Sequence, residues 1–203
     1  MRSVRHFLGQ SWLLIVASFF FGLLIAVTNA ALSARIEWNA IAKLNTLASG
    51  LLPDAETFAP VEQTLDITTP RGKQQTLQLY RATTADDTVG WIFTAVGSGF
   101  ADKIELVVAV DAAFEKLGGF DVLASNETPG FGDQIKYDYF RNQFRGAPAT
   151  ALTLVSSGDS ETIDAEIVTI SGATVSSTAV VKALSHYLVE VKEQMQQKGL
   201  IEP

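Results

Sequence analysis

Between Ser171 and Ser177 the chain reads Ser171-Gly172-Ala173-Thr174-Val175-Ser176-Ser177, followed directly by a helix-like run from Thr178 to Lys198. Hydroxyls beside the free N–H groups of a helix start make a phosphate site, because the helix dipole and the unpaired donors both favour negative charge. Gly172 and Ala173 are small enough to let a bulky ligand approach the backbone. The same residues also make a plain Ser/Thr helix cap with nothing bound, which is the commoner use of such a cluster.

A second candidate lies at Asn126-Glu127-Thr128-Pro129-Gly130-Phe131-Gly132-Asp133-Gln134-Ile135. Pro129 fixes φ, and Gly130 and Gly132 permit positive φ, so the loop holds one tight shape. Such a loop can present Glu127, the Thr128 hydroxyl and backbone groups to a flat ring at close range. Taken alone it reads first as a rigid turn. Asn126-Glu127-Thr128 also matches a glycosylation sequon, a chance match with Pro129 behind it.

The two stretches lie roughly 45 residues apart. Together they resemble the motifs of the G subunit of the Rnf (Rsx) electron transport complex. Members of that family carry E-T-P-G-(L/F)-G, then an acidic and an apolar residue, and later the flavinylation motif (S/T)-G-A-T. The C subunit of the sodium-pumping quinone reductase carries a similar motif and is the alternative parent. The resemblance implies that Thr174 bears FMN through a phosphoester. It further implies that Ser171, Gly172, Ala173, Val175, Ser176 and Ser177 surround the phosphate, with the ring near Glu127–Gly132. A flavin transferase and the other membrane and redox subunits of an ion-translocating ferredoxin:NAD oxidoreductase are the implied partners. Two departures from the family pattern stand out. Val168 occupies the place of an Asp six positions before the modified Thr, with Asp164 and Glu166 just upstream. Ser125 stands where many members have His, two residues before the loop Glu.

The elements that position these residues follow from composition and periodicity. The chain has 203 residues, enough for one domain and an extra segment, and its 47% hydrophobic content supports a packed core. Residues 1–34 contain Arg2 and Arg5 and no acid; the remainder holds 13 basic and 22 acidic residues, a balance of −9. Such an acidic domain argues against nucleic acid, whose phosphates require Lys and Arg, and against lying on anionic lipid. With no cysteine, thiolate chemistry, disulfides and iron–sulfur ligation are excluded, and the two histidines, His6 and His186, lack spaced partners. A metal-free protein is expected.

From Trp12 to Leu32 there are 21 uncharged, largely apolar residues, enough to cross a membrane as a helix. Arg2, Arg5 and His6 ahead of them predict a cytoplasmic N-terminus. Thr28-Asn29-Ala30 resembles a signal cleavage site, yet a signal core spans only about 7–15 residues, so an uncleaved anchor is favoured. Either way, everything after residue 34 is exported. The expected organisation is a cytoplasmic segment 1–10, a membrane helix 11–33, a connecting helix and loop 34–60, and an extracytoplasmic domain 61–203. The helix continues over 35–51, and 54–60 is a loop.

Strands are expected over 64–69, 76–83, 88–96, 104–111, 121–124, 151–156 and 163–170. Pro70-Arg71-Gly72 and Asp86-Asp87 mark hairpin-like turns. Gly97-Ser98-Gly99-Phe100 fails as a dinucleotide motif, because the third Gly position is Asp102 and no βαβ unit follows. It instead resembles the Gly-rich turn before a strand in the FMN-binding domain of the Rnf G subunit. A short helix over 137–144 places Tyr137, Phe140 and Phe144 in one core stripe. The closing helix buries Val180, Ala183, Leu184, Tyr187, Leu188 and Val191. The whole is an α+β domain behind one N-terminal transmembrane helix, strand-rich, FMN-binding by resemblance and closed by a C-terminal helix.

Two other functions compete. A serine hydrolase using Ser171 or Ser176 lacks a G-x-S-x-G elbow and a partner His. An anchored, non-redox binding or assembly module with a degenerate flavin site is kept open by Val168. No acid/base set for a second substrate is visible, so a relay between redox subunits fits better than a free-standing catalyst.

Overall fold

The computed structural model describes residues 2–85 and 87–202. Residue 86, half of the expected Asp86-Asp87 turn, lies outside the described residues, as do the side chains of Arg2, Arg5 and His6. The chain forms two compact units, Met1–Ala42 and Lys43–Pro203. Helix α1 runs over Arg2–Leu51.

Within the first unit, the 23-residue stretch Ser11–Ser33 contains an 18-residue window with a mean hydropathy of 2.3, none of it buried. At 1.5 Å per residue this stretch is about 35 Å long, enough for a hydrocarbon core of about 30 Å.

The second unit takes in the last turns of α1. There Leu44, Ala48 and Leu51, spaced i, i+4 and i+7, pack on Ile92, Val107 and Ala109. The unit is built on a five-stranded antiparallel sheet of order β1-β4-β5-β6-β7. Its strands are β1 (Thr57–Pro60), β4 (Tyr80–Thr84), β5 (Asp87–Ser98), β6 (Lys103–Asp111) and β7 (Leu117–Ser125). A separate hairpin pairs β2 (Leu65–Thr68) with β3 (Gln74–Leu77), and β8 (Thr153–Val155) runs parallel to β9 (Glu166–Val168). The closing helix α3 spans Thr174–Gln197.

Both faces of the sheet are covered, which is why β6 reads as a nearly continuous apolar run. Side chains alternate faces along a strand. Leu106, Val108 and Val110 join the main core with α3, while Val107 and Ala109 meet the end of α1. A cross-strand row, Phe93–Val108–Phe120, marks the face toward the main core. The expected apolar face of α3 is buried throughout, with Tyr187, Leu188 and Val191 fully so, and the equally buried Met195 extends it. The helix ends in a Schellman turn: Gly199 has φ +67, and the N–H groups of Gly199 and Leu200 bond back to Gln196 and Met195.

Three local expectations change. The segment 54–60 is not all loop, because Thr57–Pro60 forms edge strand β1; Pro60 at the strand end masks the signal. The strand expected over 76–83 breaks at Gln78, whose side-chain amide donates to the carbonyls of Val61 and Leu79 at 2.7 and 3.0 Å. The chain there crosses from the small hairpin to the main sheet. Finally, Tyr137 is extended (φ −85, ψ 149) and 51% exposed, because α2 covers only Asp138–Arg141, whereas Phe140 and Phe144 are fully buried against Phe120.

Candidate functional site

The segment from Ser171 to Ser177 joins β9 to α3, and the structure separates its hydroxyls by what they bond. Ser177 Oγ accepts the Ile170 N–H at 3.2 Å and donates to the Ala173 carbonyl at 3.0 Å, completing the turn that launches the helix. Ser176 Oγ is buried and donates to the carboxylate of Glu127. Thr178 donates to the Thr174 carbonyl at 2.7 Å. Thr174 and Ser171 are exposed, and their hydroxyls bond to nothing among the described residues. The first residue of α3 is therefore a threonine with an open hydroxyl. Ala173 at the N-cap supplies no side-chain acceptor, so the first N–H groups of the helix keep their donors. The expectation that Ser176 and Ser177 hydroxyls meet a phosphate does not fit, since both are occupied inside the protein.

Glu127 ties three segments together. It is 5% exposed, and its carboxylate accepts from Ser176 Oγ on α3 and from the Ala101 N–H at 2.9 Å on the β5–β6 turn. Burial pushes its pKa up, but the Ser176 hydroxyl and the N–H groups of Ala101, Phe100 and Asp102 together outweigh burial and hold it below 4.5. The carboxylate is thus charged at neutral pH and serves as a bracket rather than a free group offered to a ring. Ser125, in the place of the family His, accepts the Glu127 N–H at 3.3 Å and supports the same bracket.

This bracket explains the glycines. A Cβ on Gly132 would lie 2.5 Å from Glu127 Oε2 and 2.6 Å from Ser176 Oγ, and one on Gly99 would strike Glu127 Oε1. Positive φ is needed only at Gly130 (+77) in the loop; Gly132 is small for space, not for backbone freedom. Gly97 is small for a third reason: a Cβ there would sit 2.7 Å from the Ala179 carbonyl, where α3 lies directly on β5.

Around this bracket opens a cleft of about 450 Å³. Glu127, Thr128, Phe131 and Gly132 form one wall and Gly172, Ala173, Thr174, Val175 and Ser176 another, so the fold joins the two motifs at one site. Pro129 and Gly130 shape the loop, and Ser171 sits just outside the cleft lining. Phe100, which was not among the expected site residues, is the third wall; it is 72% exposed, and Phe131 is 59% exposed. A large apolar residue straight after the Gly97-Ser98-Gly99 turn was the available signal. Val168 lies in β9, with its N–H and carbonyl held by the Gln143 side chain at 2.8 and 3.3 Å.

Ser176 has a carboxylate partner and no imidazole among the described residues. His186 instead bonds the Thr68 carbonyl and lies 3.8 Å from Glu190. The arrangement lacks the base a serine nucleophile needs.

Residues 99–189 match the FMN-binding domain family, a span that includes both walls of the cleft. The fold is similar to that of NqrC from Shewanella oneidensis, with a TM-score of 0.57 and 22% identity over 71% of each chain. It is also similar to the C subunit of the Na(+)-translocating NADH-quinone reductase from Parabacteroides distasonis, with a TM-score of 0.51 and 19% identity over 66% of this chain and 77% of that one. Full-length relatives narrow the assignment. The G subunit of the proton-translocating ferredoxin:NAD(+) oxidoreductase complex of Clostridium ljungdahlii is 30% identical over 178 residues, 88% of each chain. The G subunit of the ion-translocating oxidoreductase complex of Methanosarcina acetivorans is 30% identical over 161 residues, 79% of this chain and 81% of that one. The chain belongs to the G-subunit family of these ion-translocating (Rnf-type) oxidoreductase complexes.

Proposed function

We propose that this chain is an electron-transfer subunit of an ion-translocating ferredoxin:NAD oxidoreductase complex, carrying FMN ester-linked through its phosphate to Thr174. The observation that carries the reading is the distribution of hydroxyls: within the segment 171–177, Thr174 alone combines a free hydroxyl with a place on the cleft lining, while Ser176 and Ser177 are bonded inside. The residues fit the group. The lining is largely apolar around one fixed carboxylate, and a Cβ at Gly172 would meet nothing within 4 Å, so the backbone beside Thr174 is open to a bulky substituent. FMN supplies one- and two-electron chemistry, and the protein supplies position and electrostatics.

In this reading Phe100, Phe131 and Val175 give apolar contact to the ring system. Glu127 keeps the cleft in shape and places a fixed negative charge beneath it. Attachment replaces the Thr174 hydroxyl proton with the phosphoryl group of an activated flavin nucleotide. The donor's phosphoanhydride bond breaks as the Oγ1–P bond forms, a nucleoside monophosphate leaves with the hydroxyl proton, and a flavin transferase catalyses the step. A covalent link retains a small cofactor that would otherwise diffuse away outside the cytoplasm. Residues 11–33 serve as a single-pass anchor in the inner membrane, with Arg2 and Arg5 keeping the N-terminus cytoplasmic and the second unit outside.

Intact mass of the chain produced with its flavin transferase tests this reading. We expect a gain equal to FMN less one water, lost in Thr174→Ala and kept in Ser171→Ala, whose hydroxyl is equally free but lies off the cleft. An unmodified mass in the native chain would remove the redox role and favour the anchored binding module that Val168 leaves open.

A further inference from the structure

Thr174 borders a second cleft, and its chemistry is opposite to that of the first. This cleft, of about 390 Å³, lies on the other side of the start of α3 and shares only Thr174 and Val175 with the first. Its polar lining includes Arg71 from the β2–β3 turn, Ser98 at the end of β5, and Thr178 and Lys182 one and two turns into α3. Arg71 and Lys182 are exposed and make no ion pair or hydrogen bond with the described residues. Among the described residues, no carboxylate lines this cleft. Asp102, an acid that feels Arg71, is occupied by the Lys103 N–H at 2.7 Å and the Asn126 amide at 3.1 Å. The first cleft, by contrast, is lined by the charged carboxylate of Glu127 and, among the described residues, by no cation.

We propose that the second cleft is an anion site in which Arg71, Lys182 and the Ser98 hydroxyl hold the phosphodiester on Thr174, leaving the first cleft to the uncharged ring. The inference rests on attachment at Thr174 and goes further by assigning the two ends of the ligand to opposite sides of the helix start. Charge decides the assignment. A phosphodiester keeps one negative charge at all working pH values, so it is repelled by Glu127 and drawn to two cations that make no ion pair or hydrogen bond among the described residues. The open N–H groups of the first turn of α3 favour an anion at the same place. The occupied hydroxyls of Ser176 and Ser177 leave the second cleft as the source of side-chain donors.

The test uses the full chain in detergent micelles, after intact mass has shown whether Thr174 is modified. In the modified chain, the 31P resonance of the adduct is compared with that of the double variant Arg71→Gln/Lys182→Gln. We expect the resonance to move in the variant, and to depend on salt in the unaltered chain only. An identical resonance and salt response in both chains overturns the anion site while attachment stands. If no adduct is found, the proposed function fails separately, and the unmodified chain is titrated with inorganic phosphate. Shifts of the Gly97, Ser98 and Lys182 amide signals that the double variant loses sustain the site, and their absence overturns it. Both side chains are exposed, so an unchanged melting temperature shows that the variant remains folded.

Discussion

The loop at residues 126–132 and the segment at 171–177 face each other across one cleft, yet they are held in opposite ways. The loop is pinned from within: Glu127 is buried and engaged by Ser176 and Ala101, and Gly132 fits because nothing larger can. The segment is pinned at Ser176 and Ser177 and at the buried Ala173, whose N–H donates to the Ile170 carbonyl at 3.0 Å, and it leaves Ser171, Gly172 and Thr174 exposed. One region supplies a rigid wall, and the other supplies an accessible hydroxyl on a fixed base. A site that must accept a bulky covalent group needs both: rigidity to orient the group and an open side for its delivery.

Substitutions should separate the two regions. The largest effect is expected from Glu127→Ala, which leaves the buried Ser176 hydroxyl unpaired and takes the acceptor from the part-buried Ala101 N–H. Each unmet group costs about 1–3 kcal/mol, so a total loss of about 3 kcal/mol in urea unfolding is expected; a loss under about 0.5 kcal/mol would show that the bracket is not structural. Gly132→Ala should follow at about 1–3 kcal/mol, since the added methyl must displace Glu127 or Ser176. Gly172→Ala tests the other region. Its Cβ meets nothing, so only the left-handed backbone (φ +81) is penalised, by about 1 kcal/mol in the same unfolding measurement. A Gly172 variant more damaging than the Gly132 variant would reverse the contrast.

Acid should weaken the loop more than the segment. Glu127 has a folded-state pKa held below its ordinary 4.5, so its contribution is fully present above 4.5 and is lost as pH falls through the lowered folded value. Melting temperature followed from pH 7 downward should therefore drop on the acid side below about 4.5, and Glu127→Gln should flatten that limb. An unchanged acid limb in Glu127→Gln would place the titration elsewhere. Thr174→Ala should be the mildest for stability, within about 0.5 kcal/mol of the unaltered chain, because its hydroxyl is exposed and bonds to nothing among the described residues. The same variant is the one expected to abolish attachment, so function and stability separate at this residue.

Much of the architecture was legible in periodicity. The apolar face of α3 and the long strands β5 and β6 carry their signals within a few consecutive residues, as does the apolar run at 11–33. Edge strand β1 and the break at Gln78 were not legible, because each depends on a distant partner: β4 for the first and the Val61 carbonyl for the second. Tyr137 misled for a related reason. Its i, i+3, i+7 spacing holds only inside one regular helix, and here two 3-10 turns flank a four-residue α-helix.

From its sequence alone this protein declares a membrane-length apolar helix, an acidic strand-rich domain and two motifs that resemble those of a flavin-bearing subunit. Those features are local, written in runs and spacings that short-range propensity and hydrophobicity can express. Which hydroxyl stays open, why Gly132 must be small, and that Arg71 and Lys182 line one cleft with Thr174 were decided only by the tertiary structure. Each depends on side chains brought together from β5, β7, the β2–β3 turn and α3, and burial and hydrogen bonding between such distant segments exist only once the chain has packed.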